Sequence, residues 1–437
     1  NNFKNITRHY SSLSSLKKIS LADSFPIIWD IQKSFGSTLI DSDNGQQYLD
    51  FHGGFGSNPI GWNHPKLLEH FKNNISDELI INKPANGDFY TAEYIDFINT
   101  FKNNVIPKDY PHLFLIDGGA LAVENALKVA MDWKYQKNMD LGIKNDNLEI
   151  LHFEKAFHGR SGYTMSLTNT EPHKVKYFSK FEWPRLQAPN SNTSQGQQML
   201  EDNRCLSQIH KTIEEKGKDI AAMIIEPIQC EGGDRFFSEY FLQTLQKMCN
   251  HNNILFIIDE VQTGFYTTGK KWCFQHYDLN PDLVVFGKKT QQCGIFGNSS
   301  INSIPNHCFN TSGRINSTWG GNLVDMIRSK AIINIIEDDK LEQNAHDRGK
   351  QWLNSMNNLN LPEIENIRGK GLIMSFDCKN TEERDKLLNI LKDDENLLAL
   401  GCGTKTVRFR PNLAVTEEDI ENCVARTSNS IKKLQMV

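Results

Sequence analysis

Ile257-Ile258-Asp259-Glu260-Val261-Gln262-Thr263-Gly264 closes an apolar run that begins at Ile254. The run has the length of a strand and is apolar throughout, as a strand covered on both faces must be. Two acids end it. Comparable runs stand along the chain at Leu113-Phe114-Leu115-Ile116, Ile150-Leu151-His152-Phe153, Ala222-Met223-Ile224-Ile225 and Leu283-Val284-Val285-Phe286, with stretches long enough for helices between them. Short buried strands alternating with helices predict an α/β fold with a doubly wound, mostly parallel sheet. In such a sheet the carboxyl ends of the strands line the ligand crevice. Asp259 and the Gly287-Lys288-Lys289-Thr290 that follows Phe286 therefore belong to one cleft.

Outside this region the pattern changes. Thr38-Leu39-Ile40-Asp41, the turn Ser42-Asp43-Asn44-Gly45 and Tyr48-Leu49-Asp50-Phe51 read as strand, turn, strand. After about Gly320 come a long helix, the strand Leu372-Ile373-Met374-Ser375-Phe376 and the strand Val407-Arg408-Phe409. A final helix opens at the capping-box sequence Thr416-Glu417-Glu418-Asp419, with Asp in the usual place of Glu or Gln. These pieces predict a smaller α+β domain. The expected division is an N-terminal segment, 1–70, contributing to the small domain, a large ligand-binding domain, 71–325, and a C-terminal small domain, 326–437. The polar segment Asn190 to Gln198 reads as a surface loop, and no internal repeat is visible.

The composition bounds the partners. The formal net charge of −5 argues against a nucleic-acid binder that relies on a broad positive field. No apolar run approaches the roughly 18 residues of a membrane helix, so no membrane partner is expected. Nine cysteines are scattered without a CxxC pair, which favours a reducing compartment such as the cytoplasm. A Ser-rich N-terminus with Lys4, Arg8, Lys17 and Lys18 ahead of Asp23 is compatible with an organellar leader or with a basic arm of the folded chain. The thirteen histidines show no ligand spacing, and no metal is expected.

The cleft residues carry chemistry. A lysine at a strand end, partly desolvated, has a lowered pKa and can form a Schiff base with a carbonyl. A carboxylate beside it suits the pyridinium nitrogen of pyridoxal phosphate, which needs an anionic partner to make the ring an electron sink. Lys288 and Asp259 are the candidates. Asp117-Gly118-Gly119-Ala120-Leu121-Ala122 links a strand to a helix whose Val123, Leu127 and Ala130 share one face, and glycines at a helix start leave amides free for a phosphate.

The order of these motifs, with Phe157-His158-Gly159 and Glu226-Pro227-Ile228-Gln229 between them, resembles the class III, or ω-amino acid, aminotransferases over nearly the whole chain. The phosphate turn, the Lys288-Lys289-Thr290-Gln291 run with Cys293-Gly294, and Asn316-Ser317-Thr318-Trp319-Gly320-Gly321-Asn322 are most similar to the L-lysine 6-aminotransferases. The resemblance implies a type I pyridoxal-phosphate transferase fold and gives roles to residues. Lys288 would carry the cofactor, Asp259 would meet its ring nitrogen, Phe157 and Val261 would pack on the ring faces, and Gln262 would lie near the ring hydroxyl. Gly119 and Ala120 would serve the phosphate, together with Thr318 of a neighbouring subunit, which implies a homodimer with shared sites.

The implied reaction moves the terminal amino group of L-lysine to 2-oxoglutarate, giving 2-aminoadipate 6-semialdehyde and L-glutamate. Two partners would use one pocket in turn. Arg160 and Arg408 match the family's carboxylate readers, since the planar guanidinium grips a carboxylate bidentately, and Glu231 matches a residue that neutralises Arg408 while the amine donor is bound. Asn412 stands where the family usually repeats Pro, and Phe51-His52-Gly53-Gly54-Phe55-Gly56-Ser57 is an unusual substrate-side segment. Cys293 reads as a packed thiol and His158 as a structural histidine. The alternatives are another ω-amine donor, such as ornithine or 4-aminobutyrate, an aminomutase or decarboxylase on the same scaffold, and a non-catalytic binding scaffold.

Overall fold

The computed structural model describes residues 13–21, 24–189 and 195–435. Lys4, Arg8 and Asp23 of the basic N-terminal stretch lie outside the described residues, as do residues 190–194 of the polar segment. The end of that segment is not loop: Gln195 already opens a helix that runs to Lys216.

Seven strands form the main sheet, in the order His112–Ile116, Cys293–Gly297, Leu283–Phe286, Leu255–Asp259, Ile220–Ile225, Glu149–Phe153 and Arg185–Leu186. Only Cys293–Gly297 runs against its neighbours; the other adjacent pairs are parallel. Successive side chains on a strand point to opposite faces, and the apolar runs divide accordingly. Phe256, Ile258, Val284 and Phe286 enter one core, while Leu255, Ile257, Leu283 and Val285 enter the other. Val123, Leu127 and Ala130 of the helix Gly119–Asp140 fill the second core, and Ile209, Phe241 and Leu245 from the helices Gln195–Lys216 and Glu239–His251 fill the first. Each such side chain, fully buried, contributes roughly 1.5–3 kcal/mol. Burial of both faces is why these strands read as continuous apolar runs.

Both ends of the chain meet in smaller sheets. Thr38–Ile40 and Gln47–Asp50 form the expected antiparallel hairpin, whose second strand pairs in parallel with Leu397–Leu398. Glu365–Lys370, Ile373–Asp377, Thr406–Phe409 and Leu400–Cys402 make a four-stranded antiparallel sheet. The long helix expected after Gly320 is two helices, Leu323–Asp338 and Leu341–Asn358. Lys340, at φ 54, breaks it, because a left-handed residue cannot continue a right-handed helix. The last helix begins as its sequence implies. The Thr416 hydroxyl accepts from the Asp419 N–H at 3.1 Å and the Asp419 carboxylate accepts from the Thr416 N–H at 3.0 Å. Among the described residues no helix is long and apolar enough to cross a membrane.

Candidate active site

Asp259 is the last residue of its strand and lies in register with Val285 of the neighbouring parallel strand, three residues ahead of Lys288. A cavity of about 580 Å³ opens at these strand ends, within the usual size for a cofactor or small-ligand site. Gly119 and Ala120 line it from the start of their helix, Phe157 and Arg160 from the loop after Glu149–Phe153, and Asp259, Val261, Gln262 and Lys288 from the sheet edge. Residues far apart in sequence thus meet where the fold predicts.

Each position has a local cause. A Cβ on Gly119 would stand 3.1 Å from the Val261 Cγ1, so any larger residue would require Val261 to give way by a few tenths of an ångström. The residue before it, Gly118, has no side chain with which to cap the helix, and the first amides are left for a ligand. Asp259 is buried at 5% exposure and accepts from His158 Nδ1 at 2.8 Å and from the Val261 N–H at 3.0 Å. Those two bonds fix the orientation of the carboxyl group at the cavity wall. Lys288 sits at φ 55 on the cavity wall, where burial lowers its proton affinity and Arg408 adds to the effect, against the pull of Glu231. Lys289 takes the other direction. Its ammonium group is buried and donates to the Gly56 carbonyl at 2.9 Å, and burial with Arg410 and Lys288 nearby brings its pKa down to about 7.

Beside Gln262 of the cavity wall, Arg408 is fully buried and ion-paired with Glu231. Gln262 joins the pair, accepting from Arg408 Nη1 at 3.2 Å and donating to the Glu231 Oε1 at 3.5 Å. Burial alone would raise the Glu231 carboxyl, but the charge and hydrogen bond of Arg408 outweigh it and hold the group at about 2. Arg410, two residues on, is already committed to a fully buried pair with Asp234. Arg160 is exposed at the cavity wall. Thr318 is exposed on a turn and the structure does not bring it into the cavity of its own chain.

The segment Phe51 to Ser57 is pinned to the same place. Arg410 donates its backbone N–H to the Phe51 carbonyl at 2.6 Å, and Asp50 Oδ1 accepts from the His52 and Gly53 amides at 3.1 and 2.8 Å. His52 accepts the Phe55 N–H on Nδ1 at 3.3 Å, and burial, with Arg408 and Lys288 near, lowers it to about 4. Asn412 is buried away from the cavity; it donates to the Ser37 hydroxyl at 3.1 Å and accepts the Ala414 N–H at 2.9 Å, tying the strand exit to the N-terminal segment.

Three residues do more than their sequence suggested. His158, read above as a structural histidine, bonds Asp259 itself. Glu226, visible only as part of a motif, is buried in the cavity wall. Cys293 is half-buried and lines the cavity instead of being packed away. No local pattern could have found the first two, since their partners lie 101 and 69 residues away.

An amine at Lys288, a fixed carboxyl group at Asp259, uncapped amides at Gly119 and apolar side chains at Phe157 and Val261 are together the set of groups that a phosphorylated pyridine aldehyde requires. The sequence profile of a family described as aminotransferase class-III matches residues 20–431. The chain belongs to the class-III aminotransferases. Its cofactor is pyridoxal 5′-phosphate and its reaction is amino-group transfer. It is 40% identical to the L-lysine-epsilon aminotransferase of Streptomyces clavuligerus over 431 residues, covering 95% of this chain and 93% of that protein. It is 33% identical to the 4-aminobutyrate aminotransferase of Kluyveromyces lactis over 456 residues, covering 96% and 94%. The solved structure of the lysine aminotransferase from Mycobacterium tuberculosis superposes with a TM-score of 0.94 at 38% identity, covering 96% of this chain and 98% of that one.

Proposed function

We propose that this aminotransferase moves the ε-amino group of L-lysine to 2-oxoglutarate, yielding 2-aminoadipate 6-semialdehyde and L-glutamate. The observation that carries the reading is the Glu231–Arg408 pair beside Lys288, with Arg160 at the cavity wall. A donor that enters through a side-chain amine brings no carboxylate to Arg408, and a buried unpaired cation costs several kcal/mol. Glu231 removes that penalty. A dicarboxylate partner can take its place, with Arg408 on its α-carboxylate and Arg160 on the other. Similarity to proteins named lysine-epsilon aminotransferases supports lysine as the donor.

The bound cofactor supplies a carbonyl that captures the amine and a ring that accepts electrons. Lys288, its proton affinity lowered by burial, holds that carbonyl at rest and then moves a proton at the amine-bearing carbon of the substrate. Asp259, aimed by His158 and the Val261 amide, would hold the ring nitrogen. We further infer that, among the described residues, the N-terminal segment 1–70 contributes to the small domain of 326–437 beside the large domain 71–325, and that two copies share their sites. Supporting the second point, Asn86 donates to the Trp319 carbonyl at 3.0 Å, and the two segments so joined carry exposed Ile81, Phe89, Tyr90 and Trp319, the last beside Thr318 in sequence. An amine-donor panel with 2-oxoglutarate tests the function. L-lysine should give the highest kcat/KM; ornithine or 4-aminobutyrate performing tenfold better, or turnover without any keto acid, would overturn it.

A further inference from the structure

Behind the cavity wall, two carboxyl groups grip consecutive residues. Glu226 Oε1 accepts the Phe157 N–H at 2.9 Å, and Asp259 Oδ2 accepts from the ring of His158 at 2.8 Å. The Phe157–His158 peptide is thus held from one end by Glu226 and holds Asp259 at the other. We propose that Glu226 is a positioning residue for Asp259, acting through the Phe157–His158 peptide as a neutral hydrogen-bonding group and not as a charge. The proposal rests on the reading that Asp259 meets the cofactor nitrogen.

The surroundings argue for neutrality. Glu226 is 5% exposed, and among the described residues no Lys, Arg or His forms an ion pair with it. The charges that act most on it are acids, Asp259 and Glu231, the latter already paired with Arg408, while Lys288 lines the same cavity. Burial first, then the repulsion of Asp259, pushes the Glu226 carboxyl well above its ordinary range, and the amides of Phe157 and Cys230 only partly oppose this. Burial with no cation paired to it favours the neutral form of Glu226 in spite of its amide partners. A neutral Glu226 adds no charge beside Asp259. A second negative charge there would raise the proton affinity of every basic atom on the cofactor.

The test uses the full-length, cofactor-loaded protein with E226Q and E226A, scoring turnover and the pH midpoint of the bound cofactor's visible absorbance. Glutamine keeps the acceptor for the Phe157 amide without a charge, so E226Q should turn over at least tenfold faster than E226A and leave the midpoint where the native protein has it. A midpoint displaced by one unit or more in E226Q means that Glu226 is ionised and overturns the proposal. So does E226Q as slow as E226A, or E226A with native turnover. If E226A does not fold, the E226Q midpoint alone decides. D259N, prepared alongside, separates the proposal from its premise: full turnover in D259N removes the role of Asp259, whereas a crippled D259N with a displaced E226Q midpoint removes only that of Glu226.

Discussion

Replacing Glu231 by Ala should convert a gated site into one committed to dicarboxylates. In the native protein the Glu231 carboxyl is held at about 2 instead of the ordinary 4.5. That difference corresponds to roughly 3 kcal/mol of net attraction to its surroundings, chiefly Arg408. Glutamate or 2-oxoglutarate must displace this interaction before its α-carboxylate reaches Arg408; the lysine side chain need not. Removing the carboxylate lifts that barrier for the dicarboxylates and leaves the ε-ammonium facing an unpaired guanidinium. Up to ~100-fold tighter dicarboxylate binding follows from 3 kcal/mol, and since some of that is lost as the vacated site rehydrates, a tenfold change is the minimum expected. Lysine and glutamate half-reactions followed separately by cofactor absorbance give the ratio of their efficiencies, which should shift at least tenfold toward glutamate. The pH sign is fixed too. A carboxyl depressed on folding contributes its pairing above its ordinary value and loses it only as the pH falls through about 2, so the native ratio should show no titration of this pair between pH 5 and 8. A ratio unchanged by E231A would refute the gate.

Other outcomes follow from the same geometry. Borohydride reduction and peptide mapping should find the phosphopyridoxyl group on Lys288; recovery on Lys289, whose amine is turned to the Gly56 carbonyl, would refute the assignment. D259N should keep the cofactor but lower turnover by several orders of magnitude, because the ring nitrogen loses its anionic partner while the phosphate contacts stay. Native turnover in a purified, loaded D259N protein would contradict this. D234A leaves Arg410 charged, fully buried and unpaired, which should cost about 3–5 kcal/mol of stability. A urea midpoint equal to the native one would show that the pair is not what holds Arg410.

Much of this was legible because the fold writes its sheet in a simple code. Five apolar runs mark five of the seven strands, and the polar residues that end two of them, Asp259 and Lys288, fall at the cavity. Cys293–Gly297 escaped because Cys-Gly-Ile-Phe-Gly has two glycines and no run of branched residues; it is a strand through its pairing with Leu283–Phe286 and His112–Ile116. Arg185–Leu186 escaped through brevity. The break at Lys340 was hidden because lysine is a good helix former and only the packing of two helices demands its left-handed turn. Support for the site was the least legible part. The bonds from His158 to Asp259, from Lys289 to Gly56 and from Arg410 to Asp234 each join residues at least 101 positions apart, and nothing local distinguishes these side chains from surface ones.

The choice of nitrogen is the sharpest question for this enzyme, and isotopic labelling answers it directly. Incubation of the holoprotein with 2-oxoglutarate and L-lysine labelled with ¹⁵N at either the ε or the α position, followed by mass spectrometry of the glutamate formed, tells which amine was taken. Label should reach glutamate from ε-labelled lysine and not from α-labelled lysine. Transfer of the α-label, or no glutamate from lysine under conditions in which another amine supplies it, would contradict ε-transamination.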